Sequence, residues 1–124
     1  MQTSKCHIPI SIGELFDKYS ILQIKQRKIL DKTKLNMVEY ELKELKPFVD
    51  NYSVDETLFN QLKQINMELW DIEDKLRIKE KITLFDDEFV LLARSVYITN
   101  DKRNVIKNKI SSSLNSQFIE IKSY

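Results

Sequence analysis

The chain has almost none of the residues that tight turns require: one Gly and two Pro among 124. Sandwiches, barrels and Gly-rich nucleotide-binding sheets use such residues at their reversals, so those folds are excluded and an all-α fold is expected. The apolar spacing agrees. Ser11 precedes a helical pattern with Glu14 three residues on, the separation of a capping box. Ile12, Leu15, Phe16, Tyr19, Leu22 and Leu30 then hold one face, and Leu35, Val38, Leu42 and Leu45 continue it. The pattern predicts a first helix over 11–46, with Asp31-Lys32-Thr33 as its weak point. Lys46-Pro47 should end it, because a residue before proline is pushed out of the α region.

Ser53 with Glu56 repeats the capping signature and predicts a second helix over 53–82. Its stripe of Leu58, Leu62, Ile65, Leu69, Ile72 and Leu76 alternates steps of four and three. That spacing is the 3.5-residue period of a coiled-coil seam. Asp86 or Asp87 should cap a third helix over 86–109, which Ser111-Ser112-Ser113 would break, leaving a tail over 111–124. At the ends, Ile8, Ile10 and Ile12 alternate around Pro9, and residues 117–122 alternate as well, which predicts a two-stranded ribbon joining the termini. The expected architecture is therefore a single-domain, elongated antiparallel three-helix bundle: a long helical hairpin with a third helix packed on it. Thin rods of this kind bury little core for their length, so a homo-oligomer is expected.

Charge narrows the function classes. With 20 Lys+Arg against 19 Asp+Glu, the net charge is +1. There is no global attraction for nucleic acid, and no aromatic residues interleave the basic clusters Lys25-Gln-Arg27-Lys28 and Lys102-Arg103 with Lys107 and Lys109, which read as solvated faces. The first twelve residues lack the apolar run of a signal peptide and no stretch approaches a membrane span, so a cytoplasmic location is expected. The lone Cys6-His7 pair cannot complete a zinc site within one chain.

Each helix carries a second, mixed stripe. Met67, Trp70, Asp74 and Ile78 lie opposite the leucine seam of the second helix. Leu91, Ile98 and Val105 recur every seven residues on the third, with Arg94 and Asp101 at the intervening positions. Folding those helices back at Thr83–Phe85 brings Asp74 opposite Arg94, and we expect a structural ion pair there. Lys25, Arg77, Arg94 and Tyr97 are the alternative reading of the same seam, a pocket for a nucleotide or sugar phosphate. Glu41 with Glu44, and Glu68 with Asp71, each put two acids on one helical face. On adjacent antiparallel helices such pairs could hold Mg²⁺ through oxygen ligands, as in the all-α nucleotide pyrophosphohydrolases. That is the weaker alternative; no cofactor is the primary expectation.

Several stretches together carry a resemblance: Pro9-Ile-Ser-Ile-Gly-Glu-Leu-Phe-Asp-Lys18, Glu68-Leu-Trp-Asp-Ile-Glu-Asp74, Leu92-Ala-Arg-Ser-Val-Tyr97 with Asn100-Asp-Lys-Arg103, and Glu120-Ile-Lys-Ser-Tyr124. The chain resembles an uncharacterised family of small all-helical bacterial proteins, with members in some large viruses. Their genes lie beside those for glycosyltransferases and other surface-polysaccharide enzymes. The resemblance implies a setting in glycan assembly, with a glycosyltransferase as a natural protein partner, and carries no catalytic residues. From the residues themselves we expect an oligomeric, non-enzymatic interaction module.

Overall fold

The computed structural model describes residues 4–114 and is all-α: α1 (Ile12–Lys28), α2 (Lys32–Val49), α3 (Glu56–Lys81) and α4 (Asp87–Ser113). Four helices replace the three expected, because the predicted first helix is broken. Ile29 leaves the α region (φ −79°, ψ 128°), and the Asp31 side chain accepts from the Lys34 backbone N–H at 3.1 Å. A short side-chain acceptor that satisfies an N-terminal donor starts a new helix rather than continuing the old one. The weak point is a full reversal, and α2 folds back along α1.

The other boundaries follow from the caps. Ser11 caps α1 through the Glu14 N–H at 3.0 Å, as expected. Asp86 caps α4 through the Phe89 N–H at 2.9 Å, also as expected. For α3 the cap is Asp55, not Ser53: its Oδ1 accepts from Thr57 and Leu58 at 2.8 and 3.2 Å. Pro47 does not end α2, which runs on to Val49. So near the end, proline forfeits one main-chain bond, and the Lys46–Asp50 ion pair at 3.1 Å spans the same turn. Nor does the serine run break α4, which continues to Ser113. Among the described residues no strand is present. Positions 117–122 of the expected ribbon lie outside them.

The arrangement is two hairpins of unequal length. At ~1.5 Å per residue, α3 and α4 each extend roughly 40 Å and α1 roughly 25 Å. α1 lies against both α3 and α4, whereas α2 approaches α1 alone. The leucine seam of α3 faces inward as its spacing predicts, with Leu62 and Leu69 buried and the other four half-buried. Leu15, Phe16, Leu62 and Ile110 form the core cluster at the closed end, where Phe16 meets Phe59 edge-on at 5.8 Å.

The single glycine sits at a helix crossing. A Cβ on Gly13 would stand 2.2 Å from the Lys107 carbonyl oxygen, so only glycine lets α1 approach α4 this closely. The Gly13 N–H donates to the buried Ser111 hydroxyl at 2.8 Å, which satisfies an orphan donor of the α1 N-terminus. At the far end, Thr83 adopts a left-handed φ of 51°. Thr83 N–H bonds the Glu80 carbonyl and Leu84 N–H the Lys79 carbonyl, the pairing of a Schellman cap with threonine where glycine is usual. Among the described residues no helix is long and apolar enough to cross a membrane.

Candidate functional site

Four charged side chains from two helices meet in the interior, one layer above the apolar cluster. Asp17 on α1 is 1% exposed and is held from two neighbouring helices. Arg103 of α4 donates to it through Nε at 2.9 Å and through a second short contact from Nη2. Asn66 of α3 donates from Nδ2 to Asp17 Oδ1 at 2.9 Å and to the Ser20 hydroxyl at 2.8 Å. Ser20 in turn donates to the Asp17 carbonyl at 2.8 Å. Lys107, itself buried, bridges the two carboxylates of α1, at 2.6 Å from Glu14 and 3.8 Å from Asp17.

Among the described residues two cations face two anions in the cluster. Its first effect is on register. A forked guanidinium on a buried carboxylate has one good geometry, and sliding α1 along α4 by a turn would strand both charges. The sequence explains the placement: Glu14, Asp17 and Ser20 share one face of α1 at i, i+3, i+6, and Arg103 and Lys107 share one face of α4 at i, i+4.

The residues singled out from sequence fall elsewhere. Asp74 and Arg94 are both exposed, and no ion pair joins them among the described residues. A different carboxylate–guanidinium pair, Asp17 with Arg103, joins α1 to α4. Arg77 is exposed and stands 3.9 Å from Glu73 on its own helix. Arg94 and Tyr97 are exposed on α4, and the groove that Lys25 lines includes neither of them nor Arg77. Glu41 and Glu44 are on α2, whereas Glu68 and Asp71 are on α3, which α2 does not approach. Among the described residues no group of three or more His, Cys, Asp or Glu is placed to hold a metal ion.

Lys25 does border a cavity, of a different composition. A groove of about 500 Å³ runs between α1 and α2, with Ile21, Leu22 and Leu45 in its apolar part and Lys5, Lys18, Lys25 and Tyr40 around them. Glu41 and Glu44 also line it. Lys5 donates to Glu44 at 2.8 Å. That hydrogen bond raises the Lys5 pKa above the usual lysine value and lowers the Glu44 pKa below the usual glutamate value. Lys18 leans on Glu14 at 3.5 Å.

The seven-residue stripe of α4 has the most distinctive surroundings. Leu91, Ile98 and Val105 are 64%, 42% and 51% exposed, on the side of α4 opposite its buried residues Thr99, Lys107 and Ile110. Tyr97 and Val90 flank it, and the hairpin tip adds Ile78, Ile82 and Phe85, all exposed. α1 ends too early to cover the tip and lies on the other side of α4 from the stripe. The buried face of α4 is thus largely polar, and its aliphatic stripe lies on the exposed side.

Sequence reasoning missed Glu14, Asp17, Ser20, Asn66, Arg103 and Lys107 as site residues. Asn66 carried a signal, a polar side chain set among Leu62, Ile65 and Leu69 of the most regular apolar seam in the chain. Arg103 and Lys107 read as part of a solvated basic cluster until α1 supplied the opposite charges. The chain matches the model of the family of unknown function DUF6165 over residues 6–124 and belongs to that family. No curated protein and no solved structure matches it.

Proposed function

We propose that the protein is a helical interaction module that acts as an oligomer and presents the outer face of α4 to another protein surface. The observation that carries this reading is the exposed stripe of Leu91, Ile98 and Val105. Large aliphatic side chains left exposed in one row suit a protein–protein contact. The charged cluster of α1, α3 and α4 supports the same reading, because its side chains satisfy one another and lock the helices into a rigid platform. The genomic setting that the resemblance implies supports an enzyme of surface-glycan assembly, such as a glycosyltransferase, as the further partner, and a cytoplasmic site of action.

Light scattering on the wild type and on Leu91→Asp/Val105→Asp tests the proposal. Both positions are exposed, so the variant should keep its helix content and melting temperature while losing association. A wild type that runs as a monomer, or a variant that associates equally well, refutes it.

The α1–α2 groove supports a second reading, a module or enzyme for a nucleotide or sugar phosphate. Lys25 at the edge of an apolar groove with Tyr40 suits an anionic ligand with a flat or apolar body, with Lys5 and Lys18 already paired to Glu44 and Glu14. A thermal-shift screen with nucleotides and sugar nucleotides, with and without Mg²⁺, tests it. Binding should raise the melting temperature of the wild type and not of Lys25→Ala. No shift with any ligand removes the reading.

A further inference from the structure

Resting on the proposed association, we propose that the partner of the α4 stripe is a second copy of this chain, packed antiparallel about a two-fold axis that passes beside Ile98. Among the described residues, the stripe holds five exposed positions on one side of α4: Leu91, Arg94, Ile98, Asp101 and Val105. The sequence is centred on Ile98, with an aliphatic residue seven positions away on each side. Antiparallel pairing about that centre sets Ile98 against its own copy and Leu91 against the copy's Val105. Every aliphatic residue then faces another, as a self-complementary interface requires.

The charges select the same register. Arg94 lies four residues before the centre and Asp101 three after it, so each Arg94 stands within one residue, about 1.5 Å along the axis, of the level of the copy's Asp101. A two-fold normal to the plane of two antiparallel helices keeps each flank on its own side of the interface. The flank bearing Arg94 and Asp101 therefore meets the same flank of the copy, and two opposite-sign pairs form. A parallel arrangement in register has its two-fold along the helices, which carries the flank bearing Arg94 and Asp101 to opposite sides of the interface in the two copies. No Arg94–Asp101 pair would then form, so the charge pattern favours the antiparallel arrangement. Shifting the antiparallel pair to bring Ile98 against Asp101 would strand both charges on aliphatic neighbours. The expected ion pair of Arg94 thus has an acid to meet, in the other copy.

The experiment uses the full chain with Cys6→Ser, since Cys6 is exposed and would cross-link nonspecifically. In that background Ile98→Cys should oxidise to a disulfide-linked dimer, because only a residue on the two-fold meets its own copy. Leu91→Cys mixed with Val105→Cys should give the crossed dimer, while neither alone should cross-link efficiently. Arg94→Asp should raise the dimer dissociation constant at least tenfold, and Arg94→Asp/Asp101→Arg should restore it. A dimer that forms without Ile98→Cys cross-linking, or without rescue by the charge swap, overturns this arrangement and leaves association by another face. A chain that is monomeric at every concentration overturns both.

Discussion

Asp17→Asn isolates what the buried cluster contributes. Asp17 is 1% exposed and accepts from Arg103 Nε, Arg103 Nη2 and Asn66 Nδ2, with Lys107 Nζ at 3.8 Å. Asparagine keeps the shape but turns one acceptor into a donor facing donors. It also removes the carboxylate that Arg103 and Lys107 both face. Breaking a buried ion pair from one side costs roughly 3–5 kcal/mol, since the remaining charge stays in the interior. The Arg103 side chain is 26% exposed and keeps part of its hydration, so we expect the lower end, about 3 kcal/mol. For a domain of this size that corresponds to a drop in melting temperature on the order of 10 °C. Urea denaturation of Asp17→Asn, Arg103→Met and the double variant closes a thermodynamic cycle. The double variant should recover part of the loss, with a coupling of about 1–3 kcal/mol. Arg77→Ala, at an exposed pair, should change stability hardly at all. A loss for Asp17→Asn no larger than that control, or additive single effects, would refute the interior lock.

Three further outcomes follow from local geometry. Gly13→Ala should destabilise by about 1–3 kcal/mol in the same denaturation assay, because its methyl group meets a main-chain carbonyl that cannot swing aside. Thr83→Gly should raise stability by roughly 1 kcal/mol in thermal unfolding, since glycine adopts the left-handed conformation without the Cβ clash. Asp86 has its pKa lowered, first by the Phe89 N–H and then by Lys79. A carboxylate whose folded pKa lies below its unfolded one stabilises the fold above the ordinary aspartate range and ceases to as pH falls through the folded value. Acid titration followed by circular dichroism should show Asp86→Asn losing less stability than the wild type below that range.

Helix content and two of the capping residues, Ser11 and Asp86, were legible in the sequence because each is a local property. A capping side chain needs partners only two or three residues away, and a leucine seam needs only its own period. The break at Ile29–Asp31 was harder. Apolar spacing continues across it, and only the competition between the Asp31 cap and a continuous helix decides it. That break also governs the charged site. A straight first helix would carry α2 residues along the second and third helices. A reversed one brings Glu14 and Asp17 alone against α4, opposite Lys107 and Arg103. The expected meeting of Asp74 and Arg94 away from water is not found; Asp17 and Arg103, a pair not singled out from sequence, meet there instead. Asp74 lies near the open tip, where no third helix shields it. Ser111 was misread for a related reason. Three serines are poor helix formers in isolation, but a small hydroxyl residue is what the Gly13 crossing admits.

The most direct test of the account is the mass of the wild-type chain in solution, measured by sedimentation equilibrium across a wide concentration range. We predict a concentration-dependent rise from the 14.8 kDa of one chain to twice that value, abolished by Leu91→Asp/Val105→Asp. A mass that stays at one chain up to the highest concentration would contradict the reading of the α4 stripe as a contact surface between copies.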